Sequence, residues 1–210
     1  MVAKYPKLLA TLPSKESGVR YRLEGYLFPA TYGYGKDSKM EDLVDQMLAA
    51  MDQNLSAYYD TMEAKNIDVN EVLTLASLIE KEGATDKDRK DIASVFYNRL
   101  NQDMPLQSNI AILYAQGQLG KKTTLKEDAT IDTNIDSPYN IYKNTGLMPG
   151  PVDSPGVSAI EAAVNPSKTD YLYFVANVET GEVYFAKTYE EHTKNVEEHV
   201  NSKLTESSSN

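Results

Sequence analysis

Residues 68–83, DVNEVLTLASLIEKEG, decide how the rest of the chain is read. Asp68 and Glu71 have capping-box spacing, in which each side chain accepts the other's backbone amide. Gly83 marks the far end of the helix so begun. At 100° per residue, Val72, Leu75, Ala76 and Ile79 fill one side, and Leu73, Ser77 and Glu80 another. Leu78 covers much of the remainder. A helix apolar nearly all round is buried on most faces, so its terminal glutamates need an explanation. Glu80 shares a stripe with Leu73, Ala76 and Ser77, which directs its carboxyl at protein or into a cleft. Burial and the unpaired carbonyls of the last turn both disfavour negative charge there. A carboxyl that keeps its proton near neutral pH can donate it as a general acid. The plainer reading is an ion pair with Lys81, Arg89 or Arg99, or a frayed end, because structural pairs occupy such positions too. Glu82, beside Gly83, reads as solvated.

Working outward, Ser38 and Glu41 predict a helix start. Met40, Leu43, Met47, Leu48, Met51, Leu55, Tyr58 and Met62 follow it as one apolar stripe at helical spacing. Thr85, with Asp88 three residues on, opens a helix that runs to about Asn101. A short helix is expected near NIAILYAQG, 109–117. Residues 136–156 hold four prolines and three glycines and match no period, yet their aromatic and aliphatic content speaks for an ordered, functional loop. Ser154-Pro155 reads as a cap with proline at the first helical position, and Asn165-Pro166 as that helix's stop. Residues 171–188 alternate as a β-hairpin around Glu179-Thr180-Gly181. Thr188 and Glu191 cap a last helix through about Leu204. The pattern is α+β: a helix-rich domain with a late β-hairpin and a long Pro/Gly-rich ordered loop.

Composition narrows the functions. The chain has 210 residues, 41% of them hydrophobic, enough to bury a core. A net charge of −10 speaks against nucleic acid or anionic lipid as a partner. There is no cysteine, so disulfide and thiol chemistry are absent. Fifteen tyrosines offer flat faces with a hydroxyl, which suit sugars as well as cores. His192 and His199, seven apart, make a poor metal pair without a third ligand. Ser77 lies one turn before Glu80 but has no nearby histidine or glycine-rich elbow, so it is no serine nucleophile. Asp128, Asp132 and Asp136 precede the irregular loop, and one of them is a candidate second carboxylate.

Eight segments occur in an order that resembles the endolytic murein transglycosylase family, also called MltG or YceG-like. They are LEGYLFPATY at 23–32, LTLASLIEKEG at 73–83, IASVFYNRL at 92–100, MPLQS at 104–108, SPYNIY at 137–142, GLMPGPVDSPG at 146–156, AAVNPSKTDYLYFVA at 162–176 and EHTKNV at 191–196. The resemblance covers about residues 20–200. It implies that Glu80, the first Glu of the E-K-E motif, is the catalytic residue. It also implies cleavage of the β-1,4 bond between N-acetylmuramic acid and N-acetylglucosamine inside peptidoglycan glycan strands. The product is a 1,6-anhydro end, the muramyl 6-hydroxyl having attacked its own anomeric carbon. A two-carboxylate hydrolase needs a partner acid; here the tethered nucleophile does much of that work. The resemblance further implies a membrane anchor and a LysM-like region ahead of this domain, action at the extracytoplasmic face of the cell membrane, and cell-wall synthesis proteins as possible partners. No cofactor or metal is expected.

Gln107, Tyr139, Asn140 and Tyr142 are candidates to line the glycan cleft, with Ser77 as a further substrate-contact candidate. The amides can bond acetamido groups and the tyrosines can stack on sugars. Asn98 and Arg99 either join that site or tie their helix to a loop. Asn109, Ile110, Ala111 and Ile141 depart from the family pattern of Asp, Pro, Thr and Thr, which argues against polar roles at 109, 111 and 141. The expected organisation is a 1–22 extension, a 23–202 catalytic domain and a 203–210 flexible tail. The rival functions are a two-carboxylate glycoside hydrolase using Asp128 or Asp136, and a non-catalytic peptidoglycan-binding scaffold.

Overall fold

A computed structural model describes residues 2–120, 130–177 and 180–201. Seven α-helices and one two-stranded sheet are found among them: α1 Met40–Leu55, α2 Tyr59–Lys65, α3 Val69–Glu82, α4 Asp86–Leu100, α5 Asn109–Ala115, α6 Val157–Val164, β1 Tyr173–Ala176, β2 Val183–Ala186 and α7 Tyr189–Val196. The predicted α+β class, with its late hairpin, is what this architecture is. The segments 19–35 and 136–156 are irregular in the structure too, apart from turns.

α3 is the centre of the molecule. Leu73, Ala76, Leu78 and Ile79 are fully buried, and Val72 and Leu75 nearly so. Each such aliphatic contributes about 1.5–3 kcal/mol when removed from water. The Asp68 carboxylate accepts the Glu71 amide at 2.8 Å and the Glu71 carboxylate accepts the Asp68 amide at 2.8 Å, so the predicted box forms. α6 and α4 pack against α3. Ala159, Ala162 and Ala163 of α6 are fully buried and small, which lets that helix lie close.

Some element boundaries differ from the expectations. The predicted Ser38 helix is two helices. α1 starts after Lys39, because Ser38 Oγ accepts the Gly35 amide at 2.9 Å and so is no cap. Met40 is consequently exposed. The stripe then breaks at Ser56, whose hydroxyl donates to the Gln53 carbonyl at 2.6 Å, a local bond that competes with helix continuation. α6 begins two residues late, with Gly156 at its N-cap rather than Ser154. Tyr5, Leu8 and Leu9, within the expected 1–22 extension, lie in the same core as α3. Asp128 and the 203–210 tail lie outside the described residues.

β1 and β2 pair antiparallel, Tyr173 opposite Ala186 and Ala176 opposite Val183. The Thr188–Glu191 capping box starts α7, which packs on this hairpin. His192 stacks on Tyr173 at 5.4 Å between centroids, and the Arg99 guanidinium lies 5.0 Å from the same ring. Burial, and secondarily the Arg99 charge, hold the His192 imidazole below its ordinary value. The folded chain therefore binds fewer protons than the unfolded one near that value. Stability from this group is present above the unfolded histidine pKa of about 6.5 and is lost as pH falls from there through the lower folded value. Urea midpoints are expected to drop between about pH 7.5 and pH 5.5, and less so in a His192→Phe variant. Equal drops in both proteins would remove His192 from the account.

Candidate active site

The last turn of α3 sends three side chains to three different parts of the fold. Glu80 Oε1 accepts from Arg89 Nη2 of α4 at 3.4 Å. Its Oε2 accepts the backbone amide of Gly156 at 3.1 Å. Lys81 pairs with Asp153 in the irregular loop. Glu82 Oε1 accepts the Ser108 hydroxyl at 2.7 Å, at the N-cap of α5. One helix end thus gathers α4, the start of α6, the 146–156 loop and the start of α5. Glu82 has a defined partner and is not simply solvated.

Glu80 is not in the dry wall its stripe suggested. Its side chain is 27% exposed, and two donors face it. α6 has no side-chain cap of its own, and the Glu80 carboxylate accepts the amide of its N-cap residue, Gly156. The positive end of a helix dipole favours an anion there. The ion pair with Arg89, weighed above as the plainer reading, is present as well. Arg89 also donates from Nη1 to Ser158 Oγ at 3.2 Å, and Ser158 in turn donates to Asp86.

The other expected site residues fall into two groups. Ser77 is fully buried: its hydroxyl donates to the Thr74 carbonyl at 2.8 Å and accepts the Val152 amide at 3.1 Å. Tyr139 is 4% exposed and packs on Tyr114, ring centroids 4.9 Å apart. Asn140 is 1% exposed, and its Nδ2 donates to the Thr133 and Ile135 carbonyls at 3.0 and 2.7 Å. Its Oδ1 accepts the Tyr142 amide at 3.1 Å. These three side chains are buried and spend their polar atoms on the fold's own backbone and core. Gln107 and Tyr142 keep exposed surface. The Gln107 amide donates to the Ile141 carbonyl at 3.0 Å, joining the two motif loops. Tyr142 donates its hydroxyl to Asn109 Oδ1 at 2.6 Å, so position 109 keeps a polar role after all. Of the other three departures, Ala111 and Ile141 are buried and Ile110 is half-buried, all apolar.

Asn98 and Arg99 prove structural. Asn98 Nδ2 donates to the Thr169 and Tyr171 carbonyls, both at 2.9 Å. Arg99 is buried against the carbonyls of Leu172, Pro105 and Leu106, and Gln107 Oε1. Sequence reading missed Glu24. Its carboxyl accepts the Tyr114 hydroxyl at 3.3 Å, and burial, with the Asp153 charge, pushes it above the usual carboxylate range. Gly25 follows at φ +80° against Pro151, where a Cβ would meet carbon at 2.4 Å. That clearance seats Glu24 against the 151–153 loop, and no periodic signal in 19–35 reveals it.

A carboxylate at the end of a buried helix, framed by motif loops on an α+β scaffold, defines the class; the chain belongs to the YceG-like family, whose model matches residues 3–198. A relative from Streptococcus pneumoniae serotype 2 (strain D39), named endolytic murein transglycosylase, is 68% identical over 203 residues, covering 97% of this chain and 37% of the relative. A relative of the same name from Bacillus subtilis (strain 168) is 47% identical over 186 residues, covering 88% of this chain and 50% of the relative. A yceG-like protein from Listeria monocytogenes, known from its crystal structure, superposes with a TM-score of 0.80 at 47% identity, over 92% of this chain and 61% of that one. The chain thus spans half or less of the length of these two named relatives. Among the described residues, no helix is long and apolar enough to cross a membrane.

Proposed function

We propose that this chain is the catalytic part of an endolytic peptidoglycan lytic transglycosylase, with Glu80 as its single general acid and base. Protonated Glu80 gives its proton to the glycosidic oxygen as the C1–O4 bond between N-acetylmuramic acid and N-acetylglucosamine breaks. The carboxylate so formed takes the proton from the muramyl 6-hydroxyl as C1–O6 forms. Glu80 ends as it began, no water is consumed, and the new end is a 1,6-anhydro sugar. Because the nucleophile is carried by the substrate, one carboxyl suffices.

The observation that carries this reading is the placement of Glu80 among its acidic neighbours. Glu82 is bonded to Ser108, Asp153 is paired with Lys81, and Asp86 is engaged by Ser158 and Arg89. Of the two carboxylates beside Arg89, Asp86 is 84% exposed, whereas Glu80 is 27% exposed and also accepts the Gly156 amide at the N-cap of α6. Asp136, the hydrolase candidate within the described residues, is exposed in the 135–144 loop. The relatives' shared name supports the same substrate class. Gln107 and Tyr142 are the proposed sugar contacts. Murein lies outside the cytoplasmic membrane, so the same proposal places the work there, with a membrane anchor in the full-length protein and cell-wall synthesis proteins as possible partners.

Purified glycan strands incubated with the protein are expected to yield internal fragments each lighter by one water than a hydrolysis product. Reducing ends at the hydrolytic mass would favour the two-carboxylate hydrolase instead. Binding with no turnover would favour a scaffold.

A further inference from the structure

Two arginines of α4 are withdrawn from solvent, and they are satisfied very differently. Arg99 reaches three carbonyls and one amide oxygen. Arg89, whose side chain is 17% exposed, leaves its buried Nε without a hydrogen-bond partner. A guanidinium held only for packing is expected to have its donors met, since a buried unmet donor is destabilising. Arg89 instead turns Nη2 to Glu80 and Nη1 to Ser158, with the exposed Asp86 carboxylate 3.5 Å from Nη1. Gly83 has the same selectivity. Its φ is −105°, open to any residue, so it is not there for backbone freedom. A Cβ at 83 would lie 2.7 Å from Arg89 Cγ and 3.1 Å from its backbone. The absence of a side chain at 83 lets α4 and its arginine approach the end of α3.

We infer that Arg89 is the positioning residue for Glu80, braced by Ser158 and admitted by Gly83, and that it steadies the Glu80 carboxylate between the two proton transfers. This rests on Glu80 being the acid and base. The two oxygens are held unequally: the backbone amide of Gly156 fixes Oε2 at 3.1 Å, while the Arg89 contact to Oε1 is longer at 3.4 Å. Oε1 is therefore the oxygen assigned to exchange the proton. Once that proton leaves, Oε1 carries more charge and the guanidinium holds it more strongly. An interaction that strengthens as the reaction proceeds raises kcat rather than tightening substrate binding.

The experiment compares Arg89→Ala, Arg89→Lys, Gly83→Ala and Glu80→Gln on glycan strands, with the thermal midpoint of each variant. Arg89→Ala is expected to lose about 100-fold in kcat with KM little changed, the scale of removing one positioned donor. Arg89→Lys, keeping charge without the fork, recovers about tenfold of that loss. Added guanidinium ion restores part of the Ala variant's rate. Gly83→Ala, which displaces the arginine without removing it, lowers kcat in the same sense. Four results would overturn the proposal: Arg89→Ala at wild-type kcat while Glu80→Gln is inactive; a rise in KM alone; a fall in kcat that neither lysine nor guanidinium relieves; or Gly83→Ala at wild-type kcat. Full activity of Glu80→Gln would instead remove the underlying assignment of Glu80. If Arg89→Ala fails to fold, Ser158→Ala and Gly83→Ala decide: unchanged kcat in either rejects the proposal.

Discussion

Glu80→Gln is expected to reduce glycan cleavage by about 10²- to 10⁴-fold while leaving the fold in place, because positioned general acid–base chemistry is worth that much. The glutamine has the same shape. Its amide oxygen can still accept from either the Gly156 amide or Arg89, but its NH₂ group must face the other donor. One weak bond becomes a donor–donor contact at a site that is 27% exposed, so solvent can relieve it. The stability cost is set by one hydrogen bond, about 1 kcal/mol. Rate and stability should therefore separate widely. Cleavage rates on glycan strands and urea midpoints for the two proteins check this. An active Glu80→Gln protein would remove Glu80 as the acid. A loss of activity matched by a collapse in stability would leave the chemistry unassigned to it.

The route to Glu80 ran through features that sequence carries well. The Asp68–Glu71 box and the all-round apolar pattern are local, and they fixed both the helix and its burial. What local pattern could not show was the far side of Glu80. Gly156 and Arg89 meet it only because α6 and α4 pack on α3; the sequence offers Arg89 as one of three ion-pair partners, with Lys81 and Arg99, and does not choose among them. The cap of α6 slipped for a similar reason: Ser154-Pro155 is a sound local cap, but a carboxylate from another helix stands at the helix start two residues later. In 136–156 the difficulty is different. Without a period, inside and outside cannot be told apart, so Tyr139 and Asn140 looked like ligands of a cleft. Asn140 proves to be the centre of the loop's own hydrogen bonding, and Tyr139 part of the core. Ile141, read as a lost polar contact, is likewise a core residue.

The largest stability effect is expected at Arg99. Its side chain lies in the protein with Nε on the Leu172 carbonyl at 2.6 Å and Nη1 on Pro105, Leu106 and Gln107 at 2.8 to 3.2 Å. Burial disfavours its charge, and among the described residues no carboxylate forms a salt bridge with it; carbonyl dipoles and the Tyr173 ring carry the compensation. Arg99→Met keeps most of the apolar stem and removes every donor. Several oxygens then lose their partner, in a place water reaches poorly. Unpaired buried acceptors cost about 1–3 kcal/mol each, and part of that cost relaxes, so a loss of about 3–5 kcal/mol is expected for the whole replacement. The damage should also spread to the site. Arg99 joins the 105–107 turn to the start of the hairpin, and Gln107 holds φ +57°, a left-handed conformation that is unfavourable for a residue with a side chain. Once the guanidinium is gone, little holds Gln107 in that conformation, and its amide's bond to Ile141, which joins the two motif loops, weakens with it. The variant should therefore bind glycan strands less well at temperatures where it is still folded. Urea unfolding and binding isotherms taken below the transition would show the two effects separately. A stable Arg99→Met protein would mean that the three carbonyls find other donors, and the loop would then owe its shape to Asn98 and Asn140 instead.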